Sequence, residues 1–176
     1  MQPSRRMGAD NQRKVVESMQ VRSEQEALFV ACQMESTAVQ LYSRALQVMQ
    51  QLGREREPLY REIEQMLHDE EGHLRHFSAL YQGLDEAQER ELTLSAVAEG
   101  LLFEGGLMGA ARQGLLKDTQ SMLELAAKSE KASAQKYRDF AAQAQTEEAR
   151  EALLMIAQQE DGHLIELETA AERGQL

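Results

Sequence analysis

Residues 68–74 read HDEEGHL and residues 158–164 read QQEDGHL. Each stretch sets a glutamate three residues before a histidine: Glu70 with His73, and Glu160 with His163. On a helix, that spacing projects both side chains of a pair from one face, a turn apart. Apolar residues recur around each pair at intervals of three and four. Leu59, Ile63, Met66, Leu74 and Phe77 surround the first, and Leu153, Ile156, Ala157, Leu164 and Leu167 the second. That period belongs to a helix with one buried face, and the polar pairs interrupt it where leucine would be expected.

Each pair has an upstream partner. Residues 31–42, ACQMESTAVQLY, align with residues 126–137, AAKSEKASAQKY, sharing Ala, Glu, Gln and Tyr. Both segments carry apolar stripes of helical period, interrupted near the middle by Glu35 and by Glu130. The chain therefore reads as two copies of a helical hairpin, each supplying one glutamate and one Glu-x-x-His. Four carboxylates buried together without compensation would cost more than the ~5–15 kcal/mol by which a domain is stable. No lysine or arginine lies in the stripes. Two divalent cations would balance four carboxylates and two neutral imidazoles, with Glu35, Glu70, His73, Glu130, Glu160 and His163 as ligands.

Helix boundaries follow from local signals. The first helix opens at Ser23, which has capping-box spacing to Glu26, and ends before Gly53. The second starts near Pro58 and stops at Gly83, the third runs from Asp118 to about Gln145, and the fourth from Thr146 to near Gly174. Short turns within each hairpin force antiparallel neighbours. The fold class is all-α: an antiparallel four-helix bundle of two hairpins joined by a long crossover over residues 83–117. Five glycines between positions 100 and 114 argue against one continuous helix and for a packed strap or a subunit contact. Residues 1–22 form an N-terminal extension expected to be partly disordered, and residues 23–176 the bundle domain.

Composition bounds the function. Acids number 30 against 19 bases, a net charge of −11, which excludes the cationic footprint of a nucleic-acid binder. One cysteine, Cys32, rules out an internal disulfide and a thiolate metal site. No stretch has the length of a membrane span. A cytoplasmic protein, with no membrane and no nucleic-acid partner, is expected.

These motifs resemble the ferritin-like superfamily of di-iron carboxylate proteins, whose bundle is a standard case of such a site. Within it the chain is most similar to the rubrerythrin branch, where Glu-x-x-His is often written with the EEGH seen at residues 70–73. The likeness covers about residues 23–173. It implies that Glu70 and Glu160 bridge two metal ions, and that Asp69 and Gln159 occupy positions which in related proteins orient a histidine from the opposite half. Rubrerythrins usually carry a rubredoxin-like module with four cysteines and a further carboxylate one turn from the third-helix ligand. These residues hold one cysteine, and Ala127 and Ser133 flank Glu130 at three-residue spacing.

Oxygen and imidazole donors suit two iron ions, with manganese possible and zinc as a substitute. The expected function is a non-haem di-iron or di-manganese oxidoreductase reacting with dioxygen or hydrogen peroxide, served by an external electron donor. The alternative is a ferritin-like iron storage or iron-handling protein with a ferroxidase centre. A homodimer or higher homo-oligomer is expected in either case. Tyr42 and Tyr137 lie two turns beyond Glu35 and Glu130 on the same faces, placed to hydrogen-bond to ligands, to act as redox-active phenols, or to pack in the core. Gly72 and Gly162, in helix interiors beside the histidines, suggest close backbone approach around the site.

Overall fold

The four expected long helices are all present in a computed structural model, which describes residues 19–173. They are α1 (Glu24–Gln51), α2 (Pro58–Leu80), α5 (Thr119–Ala141) and α6 (Glu147–Glu172); the crossover adds α3 (Glu86–Glu99) and α4 (Gly106–Arg112). Three starts are fixed as the sequence indicates. The side chains of Ser23, Asp118 and Thr146 accept from the backbone N–H of Glu26, Ser121 and Ala149, occupying donors that a helix leaves unpaired. The reciprocal half of the Ser23 box is displaced by one residue, because Glu26 accepts from the N–H of Arg22 at 2.7 Å. The expectation of a partly disordered extension falls on residues 1–18, which lie outside the described residues. Of residues 19–22, Val21 is buried and the N–H of Met19 donates to Glu99, while Gln20 and Arg22 are exposed.

Helices α1 and α2 form one hairpin and α5 and α6 the other; α1 also packs on α5, and α2 on α6. Glu35 meets Tyr137 while Tyr42 meets Glu130, so α1 and α5 run antiparallel. The contacts Asp69 to His163 and His73 to Gln159 show the same for α2 and α6.

The crossover packs on its own chain. A capping box of Asp85 and Gln88 opens α3, and Gly100 closes it in a left-handed conformation (φ 82°) that a side chain would resist. Leu92 and Ala96 bury against α1, and α4 also contacts α1. Lys136 of α5 reaches up to Glu99 of α3 at 2.7 Å and ties the strap to the bundle. Among the described residues no helix is long and apolar enough to cross a membrane.

The apolar core is divided. One cluster gathers Leu28, Phe29, Phe77, Phe140, Leu153 and Ile156; the other gathers Leu41, Met49, Leu59, Ile63, Met122 and Leu167. Between them lies a belt of buried polar side chains.

Candidate metal centre

That belt contains every residue expected as a ligand. Glu35 from α1, Glu70 and His73 from α2, Glu130 from α5, and Glu160 and His163 from α6 are each at most 5% exposed. Each comes from the centre of its helix's buried stripe, so the same periodicity that buries leucine above and below delivers these groups to one space. They fall into two overlapping quartets: Glu35, Glu70, His73 and Glu160; and Glu70, Glu130, Glu160 and His163. Within each quartet the potential ligand atoms lie within 4.8 Å of one another. Glu70 and Glu160 belong to both.

The hydrogen bonding of these groups is incomplete. Glu35 Oε2, both Glu70 oxygens, Glu130 Oε2, Glu160 Oε1 and the Nδ1 atoms of both histidines are buried without a hydrogen-bond partner. His163 Nδ1 lies 2.8 Å from Glu70 Oε1, and His73 Nδ1 lies 3.0 Å from Glu160 Oε1. These contacts are close but lack hydrogen-bond direction, so the lone pairs converge without pairing. Leaving one such atom unsatisfied costs about 1–3 kcal/mol, and more for a charged group. Seven at one locus fit a shared cationic partner. The donor set of carboxylate and imidazole suits iron, manganese or zinc, and the cluster is compatible with a di-metal site.

Glu35, Glu130 and both histidines are satisfied on their opposite sides. His73 Nε2 faces Gln159 Oε1 at 2.9 Å, and His163 Nε2 faces Asp69 Oδ2 at 3.3 Å. An acceptor opposite Nε2 holds the ring proton there and frees the Nδ1 lone pair for the interior. Asp69 and Gln159 thus each reach a histidine of the opposite hairpin, as the resemblance implies. The tyrosines cross over as well: Tyr137 donates to Glu35 Oε1 at 2.7 Å, and Tyr42 donates to Glu130 Oε1. Of the three roles open to them, the geometry displays two: hydrogen bonding to the glutamates, and core packing, with Tyr137 in the first apolar cluster and Tyr42 in the second.

The protein groups alone make a charge problem that protons can relieve. Burial, opposed in part by His73 and reinforced by the Glu70 carboxylate, holds the Glu35 carboxyl well above its ordinary range. Burial raises Glu160 likewise, helped by the charges of Glu130, Glu35 and Glu70. Burial would also raise Glu70, but the imidazoles of His163 and His73 outweigh it and hold that carboxyl low. For the histidines burial disfavours the charged form, yet the facing carboxylates win: His73 is pushed up, and His163 is pushed up to about 10. Burial, followed by the adjacent Glu130 or Glu35, raises Tyr42 and Tyr137, so both phenols keep their protons.

One expectation is corrected. Nothing within 4 Å would meet a Cβ on Gly162, and only the Arg75 side chain, at 3.8 Å, would meet one on Gly72. At 100° per residue, each glycine sits beside the buried stripe rather than on it, so no backbone approaches closely there. Lys136 escaped the sequence reading. It lies next to Tyr137 and outside the stripe, is 5% exposed, and pairs with Glu99 at the end of α3. His68 and His76 are exposed.

No curated protein and no solved structure matches the chain. The family model described as Rubrerythrin matches residues 26–170, a span that takes in all six converging side chains and both tyrosines. The chain belongs to the rubrerythrin family, one of the ferritin-like di-iron carboxylate families.

Proposed function

We propose that this protein is a non-haem di-iron oxidoreductase that reacts with dioxygen or hydrogen peroxide and is re-reduced by an external electron donor. In this reading Glu35 and His73 would hold one ion and Glu130 and His163 the other, with Glu70 and Glu160 shared between the two positions. The observation that carries it is the set of seven buried, unpartnered donor atoms from six side chains, all facing one space between two apolar clusters. A bound iron pair would supply electrons two at a time to the oxidant; manganese could fill the same ligands.

The chain's own contribution is positional. Glu70 and Glu160, shared by both quartets, keep the two positions adjacent. Gln159 and Asp69 fix the imidazole rings. Tyr137 and Tyr42 hold a proton against the oxygens of Glu35 and Glu130. The flanking apolar clusters exclude bulk water, which strengthens each of these electrostatic contacts. The buried free thiol of Cys32 suits a reducing compartment such as the cytosol, and the proposed assembly is a homodimer or higher homo-oligomer.

Iron and manganese should be quantified on protein from cells grown with both, followed by anaerobic reduction and exposure to each oxidant. Two ions per chain and stoichiometric uptake of dioxygen or peroxide support the proposal. Two bound ions with no oxidation by either oxidant refute the redox function. Retention of many ions per chain in a large shell would indicate storage instead.

A further inference from the structure

We propose that Asp69 and Gln159 make the two metal positions unequal, with the ion beside Glu130 and His163 held more tightly than the one beside Glu35 and His73. This rests on the di-metal reading above. The two residues occupy equivalent places in the repeat, each immediately before a glutamate shared by both quartets. Each contacts Nε2 of the histidine from the other hairpin. Their chemistry differs: one is a carboxylate, the other a neutral amide.

The difference is transmitted through the ring. A carboxylate accepting from Nε2–H draws that proton more strongly than an amide does, and the electron density gained appears at Nδ1, the atom that faces the interior. Asp69 is also held for the task, because Gln65 Nε2 donates to its Oδ1 at 2.9 Å and leaves Oδ2 toward His163. Two facts moderate the effect. The Asp69 contact is longer than the Gln159 contact, 3.3 Å against 2.9 Å, and the Asp69 side chain is 33% exposed to solvent. An ionic acceptor is about twice as strong as a neutral one, so the sign survives. The magnitude belongs at the low end of the range for such supporting partners, roughly tenfold in affinity.

Two measurements on the full chain test this. The first is Mössbauer spectroscopy of protein loaded anaerobically with ferrous ⁵⁷Fe. Wild type should show two unequal ferrous doublets, and Gln159→Asp, which places the same acceptor behind both histidines, should bring them together. A single doublet in wild type, or two that Gln159→Asp leaves unchanged, would overturn the inference while leaving the di-metal reading intact. The second uses cobalt(II) as the probe in single-histidine variants. His73→Ala keeps the Asp69-supported position and should bind roughly tenfold tighter than His163→Ala. Adding Gln159→Asp to His163→Ala should recover most of that difference. A partner that mattered only by filling space would give no such gain. Protein that takes up neither metal would remove the di-metal reading and this inference together.

Discussion

Freed of metal, the centre should make the protein less stable as pH rises from 6 to 9, opposite to what is expected of an acidic protein whose carboxylates are already ionised. The sign follows from the folded-state shifts. His163 goes from an ordinary 6.5 up to about 10, so its stabilising contribution is complete below pH 6.5 and disappears as pH climbs toward 10. At about 1.4 kcal/mol per pH unit, the part of that window below pH 9 amounts to roughly 3 kcal/mol from His163 alone. His73, also raised, acts in the same direction. Glu35 and Glu160 are raised too, so their protonated forms favour the fold and their contribution also falls with rising pH. Glu70 is lowered and works the other way, but its contribution is lost only as pH falls below about 4.5, outside the range. Against a domain stability of about 5–15 kcal/mol, a loss of this size is easily measured. Cations should cancel it, because they replace the protons that the bare site needs. The assay is urea unfolding followed by far-ultraviolet circular dichroism at pH 6, 7.5 and 9, with chelator and with bound ferrous or manganous ion. Chelated protein that is more stable at pH 9 than at pH 6 would refute the argument.

Other outcomes follow from the same geometry. The double variant Glu70→Ala with Glu160→Ala removes both shared carboxylates, so metal loading should vanish in elemental analysis while helicity persists; tight uptake of two ions would contradict the bridging assignment. Tyr42→Phe and Tyr137→Phe each leave one buried glutamate oxygen without its donor, and each should cost the metal-free fold about 1–3 kcal/mol by denaturant midpoint, to similar extents. Gly72→Ala and Gly162→Ala have room for the added methyl and should each stabilise the helix by ~1 kcal/mol in thermal melts, with metal content unchanged. Gly109→Ala should do the reverse, since its Cβ would lie 1.8 Å from the Glu104 carbonyl oxygen and force the α4 turn to open, lowering the melting temperature.

The long helices and six converging side chains were legible because helix caps and stripes are local signals. Ser23, Asp118 and Thr146 announce starts, and a glutamate where leucine belongs announces a buried charge. The crossover was less legible. Its glycines at 100, 105 and 106 stood out, while the capping box of Asp85 and Gln88 that opens α3 was passed over. With only Leu92 and Ala96 buried, α3 has little stripe to read, and its placement depends on α1 beneath it. The tyrosines show another limit. Seven-residue spacing puts Tyr42 on the face of Glu35, but its partner is Glu130, because the antiparallel packing of α1 on α5 decides which glutamate it meets. Lys136 was unreadable for a related reason, since its partner Glu99 is distant in the chain.

The exchange of tyrosines between hairpins has a consequence for how the molecule could be taken apart. The four contacts that tyrosine, Asp69 and Gln159 make to the ligands all cross from one half to the other, so the covalent strap supplies proximity to the centre rather than its shape. Its role there is that of a tether, holding the halves at an effective concentration of order millimolar. A chain opened between Gly100 and Gly105 should therefore rebuild the same chamber when its two fragments are mixed, α3 staying with one and α4 with the other.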